Sequence, residues 1–222
     1  PRSTTWDNSI LTNTVTVSAT TADGLSATTS KGVSIIMGNP PTGCFVFEVG
    51  VADPRGVPSV DWNTDPTGMS NILGAIAQLQ KSAVYMAQLC AGGPIYLYRV
   101  RDDYGGGWAS SLNGGTIWLY NGGVGSYGSA VYTLAHESGH ILNWRRADIF
   151  NSFESQGISV QEGYLHTYPN TTDIWEDFAE TIGLYVGEPF YHPAKWGDFS
   201  YPDRYPLHYN FAHDLFGGVE YP

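Results

Sequence analysis

Residues 129 to 144 read SAVYTLAHESGHILNW, with Val131, Leu134, Ala135, Ser138 and Leu142 along one side of a helical projection and His136 and His140 on another. The spacing predicts a helix, and two histidines four apart on a helix project from the same face. Zinc takes imidazole or carboxylate ligands at about 2.0 to 2.2 Å, so such a pair is a ready half-site. Glu137 is turned about 100° from His136 and need not ligate; it is placed to act on a metal-activated water as the general base. Gly139, just before the second histidine, leaves room for another element to approach closely. Histidines that merely cap or hydrogen-bond inside an ordinary helix are the alternative. A His-Glu-x-x-His run inside an amphipathic helix is an uncommon accident in a chain with six histidines, and the metal reading is preferred.

Two histidines do not complete a catalytic metal site. The three-histidine variant of the motif needs a glycine at position 143 and a histidine at position 146, where this chain has Asn143 and Arg146. A carboxylate is therefore expected, and the stretch Trp175-Glu176-Asp177-Phe178-Ala179-Glu180 lies on a predicted helix from Asp173 to Val186. Trp175, Phe178, Ala179, Ile182, Tyr185 and Val186 form its expected buried arc, with Glu176 at the edge and Asp177 on the far side. Glu176 is the preferred third ligand, and Glu180, one turn on, is suited to fixing the tautomer of a ligand histidine. Asp173 and Glu176 could instead form a helix-capping pair. Glu162, within reach of His140 along the chain, is the runner-up ligand and Glu180 comes third.

With these motifs in place, the pairing of His136-Glu137-Ser138-Gly139-His140 with a later Glu-x-Phe-Ala-Glu resembles zincin metallopeptidases with a glutamate third ligand, in particular those similar to anthrax lethal factor and bacterial Pro-Pro endopeptidases. The resemblance covers the stretch from Ser129 to Val186 only. It implies zinc held by His136, His140 and Glu176, with Glu180 behind a histidine, and hydrolysis of a peptide or protein substrate. A tyrosine shortly before the ligand glutamate helps stabilise the oxyanion in that group; Tyr168 stands near the matching place, and Tyr164 is the alternative. The implied fold is α+β: a twisted mixed sheet with an active-site helix and a second, mainly helical or irregular lobe, the lobes meeting near residue 140 within one domain of residues 1 to 222. In such folds an edge strand above the metal helix pairs with extended substrate, and Thr116 to Tyr120 is the candidate strand.

Outward from the motifs, Thr14 to Ala19, Val33 to Met37, Cys44 to Val51 and Ile95 to Val100 read as strands. Ile72, Ile76, Leu79, Ala83 and Met86 predict one helix from Ser70 to Ala91, stopped by Gly92-Gly93-Pro94. Gly105-Gly106-Gly107 marks a turn or a flap on a cleft. A non-periodic stretch of about 25 residues precedes the helix at Asp173, and a short helix is expected near Asn210 to Phe216. His166, His192, His208 and His213 lack ligand spacing and read as structural. Arg145 and Arg146 complement the C-terminal dipole of the metal helix.

Composition bounds the partners. With 10 Lys and Arg against 21 Asp and Glu, a net charge of −11 excludes a phosphate-neutralising nucleic-acid surface. No apolar run is long enough to insert in a membrane. Pro1-Arg2-Ser3 lacks the apolar core of a signal peptide, as expected of a processed secreted form. Cys44 and Cys90, the only two cysteines, are expected to pair, and Asn170-Thr171-Thr172 is a weak glycosylation signal consistent with secretion. A monomer is expected. The abundance of 15 Tyr and 7 Trp supports a rival reading, a carbohydrate-binding or adhesion module on a zincin-like scaffold.

Overall fold

A computed structural model of the chain describes residues 11–20 and 26–35 as backbone, and residues 43–165, 173–190 and 200–221 in full. Tyr168, His166, His192 and the 170–172 sequon lie outside the described residues.

The chain divides into two units, Pro1–Pro41 and Thr42–Pro222. In the first, β1 (Leu11–Thr20) pairs antiparallel with β2 (Ser26–Ile35), a hairpin rich in Thr, Ser and Val, residue types that favour the pleated backbone. The second unit is α+β. Its sheet has four strands, β3 (Phe45–Glu48), β4 (Ile95–Arg99), β5 (Gly107–Ser110) and β6 (Thr116–Leu119), in the order β3-β4-β6-β5. The first three neighbours run parallel, and β5 is antiparallel to β6, so the sheet is mixed.

Side chains alternate across this sheet. Ile95, Leu97, Ile117 and Leu119 enter the main core, whereas Tyr98, Trp118 and Tyr120 form a smaller aromatic cluster packed by Val51 and Val57. With both faces covered, every residue of β6 is buried. It pairs with β4 on one side and β5 on the other, so it is an interior strand and the expectation of a substrate-facing edge there is corrected. The edges are β3 and β5; the one beside the metal-motif segment is β5, whose four residues, Gly-Trp-Ala-Ser, are too few and too glycine-rich to read as a strand from pattern.

The expected helix from Ser70 to Ala91 is two helices, α1 (Pro66–Leu79) and α2 (Ala83–Cys90). The break comes at Ser82, whose hydroxyl caps α2 by accepting from the Tyr85 N–H at 3.0 Å and donates to the Phe216 carbonyl at 2.7 Å. A short α3 (Asn121–Val124) leads into α4 (Tyr127–Arg145), the metal-motif helix, capped by Ser126. Next come α5 (Ala147–Ser155) and α6 (Ile158–Glu162) in the stretch read as non-periodic; each is too short to set a clear period. Asp173 caps α7 (Ile174–Gly187), and α8 (Tyr201–Arg204) and α9 (Pro206–Leu215) follow.

Cys44 and Cys90 are disulfide-bonded, tying the start of β3 to the end of α2. Arg145 does more than face the end of its helix: its guanidinium donates to the carbonyls of Leu89, Gly93, Pro94 and Gly114, fastening the α2–β4 and β5–β6 connections to α4. Arg146 pairs with Asp148 at 2.6 Å.

Candidate metal centre

The site is assembled where α4 lies along α7. Small residues set that approach. A Cβ added at Gly139 would stand 2.9 Å from the Ala179 Cα, and one at Gly187 would stand 2.9 Å from the Tyr132 Cα. A Cβ on Gly183 would meet the His136 Cβ at 3.0 Å. The element expected to need room beside Gly139 is thus α7.

This contact brings His136, His140 and Glu176 together, with one donor atom from each within 4.8 Å of the others. The histidine Nε2 atoms are 3.2 Å apart, and Glu176 oxygens lie 3.4 Å from His136 Nε2 and 3.5 Å from His140 Nε2. Ligands about 2.05 Å from a tetrahedral metal are separated by about 3.3 Å, close to the distance between the two histidines and to the distance from each histidine to one Glu176 oxygen, Oε2 for His136 and Oε1 for His140. Two imidazoles and one carboxylate also form the donor set of open catalytic zinc sites. The residues present fit the ion.

Glu180 is behind His136, with its Oε2 3.1 Å from Nδ1, which leaves Nε2 as the metal-facing nitrogen. Tyr132, two turns before His140 on α4, donates to the same Glu180 oxygen at 2.5 Å. Nothing in the sequence pattern marked Tyr132; only the packing of α4 on α7 reveals it.

Electrostatics follow from this crowding. Burial opposes charge on His136, but the Glu176 and Glu180 carboxylates outweigh it and push its pKa up to about 10 in the metal-free protein. Hydrogen bonds from His136 and His140 hold the Glu176 carboxyl well below the usual carboxylate range. Glu137 is different: burial raises its pKa, against the opposing pull of both histidines and the Ala109 N–H. It is only 7% exposed. The edge strand β5 presses on it, since a Cβ at Gly107 would come 2.8 Å from the Glu137 Cγ.

Glu162, the runner-up ligand, accepts from the Leu207 N–H at 2.7 Å and contacts His208 Nδ1 at 2.8 Å, so it is committed to α9 and stands outside the group of His136, His140 and Glu176. Tyr164 is not among the residues lining the cleft. Asp177, on the far side of α7, is fully buried where solvent exposure was the simpler expectation: it accepts from Ser159 Oγ and the Leu165 N–H, each at 2.5 Å, and contacts His208 Nε2 at 3.0 Å. His208 is accordingly structural. Trp175, placed in the buried arc by periodicity, is instead 57% exposed and turned to the cleft.

That cleft has a volume of about 320 Å³ and is lined by the three donor residues, Glu137, β5 residues Gly107 to Ala109, and a rim of aromatic and polar side chains. No helix among the described residues is long and apolar enough to cross a membrane. Compared with known proteins, the chain matches no family model, no curated protein and no solved structure.

Proposed function

We propose that the protein is a secreted zinc-dependent endopeptidase with a zincin-like arrangement of sheet, metal helix and cleft. The observation that carries the reading is the donor triangle of His136, His140 and Glu176 beside a buried carboxylate that takes no part in it. The zinc ion that these three side chains would hold supplies Lewis acidity, polarising a scissile carbonyl and making water acidic enough to attack near neutral pH.

The remaining work falls to the chain. Glu137, with its pKa raised by burial, takes the proton of the attacking water as the water oxygen bonds to the carbonyl carbon. It then returns that proton to the amine nitrogen as the carbon–nitrogen bond breaks. Glu180 and Tyr132 hold the His136 ring in one tautomer. The edge strand β5, next to Glu137, is the strand against which an extended peptide would lie. The Cys44–Cys90 bridge supports the secreted assignment, since such bonds persist in oxidising compartments.

The test is metal analysis and a peptidase assay on wild type and Glu137→Gln. Wild type is expected to hold one zinc per chain and to cut peptides; the variant should keep the metal and lose nearly all turnover. Turnover equal to wild type would remove Glu137 from the chemistry, and absence of bound zinc would remove the metal.

A further inference from the structure

We infer that the cleft beside the metal site selects a basic side chain next to the bond it acts on, with Asn143 holding the substrate main chain and Trp144 and Trp175 reading the side chain. The inference rests on the peptidase reading for the word substrate, but its recognition argument stands on the cleft itself.

Asn143 follows His140 by three residues on α4 and so faces the same way. It is 9% exposed and lines the cleft. A carboxamide has both donor and acceptor, the complement of a peptide group.

The rest of the rim has one character. Trp144 and Trp175 are 46% and 57% exposed, and Tyr104 and Trp108, which also line the cleft, stack on each other with ring centroids 5.7 Å apart. Of the lining carboxylates, Glu176 and Glu137 belong to the metal site, which leaves Asp173 as the free negative charge, and no Lys or Arg lines the cleft among the described residues. Indole faces carry negative potential and attract ammonium and guanidinium groups; they repel carboxylates. Asp173 adds a formal charge of the same sign at the mouth, and the net charge of −11 draws cationic polypeptides from a distance. The fold already uses this chemistry: the Arg55 guanidinium sits 3.9 Å over the Tyr104 ring.

The experiment uses peptides identical except for Arg, Phe or Glu at one position. Their binding to zinc-loaded Glu137→Gln protein is followed by tryptophan fluorescence, and their hydrolysis by wild type is followed by mass spectrometry. Arg is expected to bind about 10-fold more tightly than Glu, with Phe between them. Trp144→Ala and Trp175→Ala should each reduce the Arg to Glu ratio, whereas Asn143→Ala should weaken all three peptides alike. Equal binding of Arg and Glu, tightest binding of Phe, a ratio unmoved by both tryptophan variants, or binding of neutral oligosaccharides in place of peptides would overturn the inference. Arg-selective binding without any hydrolysis would uphold it and overturn the peptidase reading instead.

Discussion

Gly139→Ala tests whether the α4–α7 seam sets the metal geometry. The new methyl would stand 2.9 Å from the Ala179 Cα, a backbone atom that cannot swing aside, while ordinary contact begins near 3.4 Å. One helix must retreat by the difference, and the Ile182 Cδ1 at 3.2 Å opposes an easy tilt. Overpacking of this kind costs about 1 to 3 kcal/mol. The helical preference of Ala over Gly returns about 1 kcal/mol. A net loss of about 1 kcal/mol lowers Tm by roughly 2 to 4 °C in a protein of this size. The effect on zinc should be larger, because a metal site tolerates only about 0.2 Å of error in its ligand distances. His140 and Glu176 are carried by the two separating helices, so zinc affinity is expected to fall about tenfold or more. Calorimetry of metal-free protein and competitive titration with a zinc chelator measure the two effects. Unchanged Tm together with zinc affinity within twofold of wild type would refute the claim that this seam positions the ligands.

Glu176→Ala is expected to lose zinc on mild dialysis, whereas Glu180→Gln should retain it with affinity lower by about 10- to 100-fold, both read by metal analysis after equilibrium dialysis. In metal-free protein His136 has a raised pKa, so its contribution to stability is complete below the unfolded value of 6.5 and is lost as pH rises towards about 10. Tm of the metal-free form should therefore decline over that window, and zinc, which requires neutral imidazoles, should abolish the decline; a metal-free Tm flat across the window would contradict it. Replacing Cys44 and Cys90 by Ser should lower stability by about 4 kcal/mol on the loop-entropy estimate, read by urea unfolding with and without reductant.

The site was more legible in the sequence than the fold around it. His136, His140 and Glu176 follow from helical geometry because two long helices carry them, and helical spacing survives tertiary packing. Trp175 and Asp177 were misread for the opposite reason: periodicity assumes one buried stripe, and α7 is surrounded by α4, α5 and α9 on several sides. Tyr132 and Asn143 could not be singled out, since each acquires meaning only from the element or cleft it faces. In the sheet, β4 was legible from its alternation, whereas β5 was hidden by its brevity and by Gly107, which is there because Glu137 leaves no space for a side chain.

Glu176 and Asp177 are neighbours about 100° apart around one helix, and both are held. Asp177 is gripped by Ser159, the Leu165 backbone and His208, so α7 cannot turn about its own axis without breaking several buried bonds at once. That makes α9, through His208, a remote keeper of the orientation of Glu176. Shortened versions of this protein that stop before residue 206 should be expected to lose zinc even though every donor atom is still encoded, and a tag or fusion crowding α9 should be felt first at the metal.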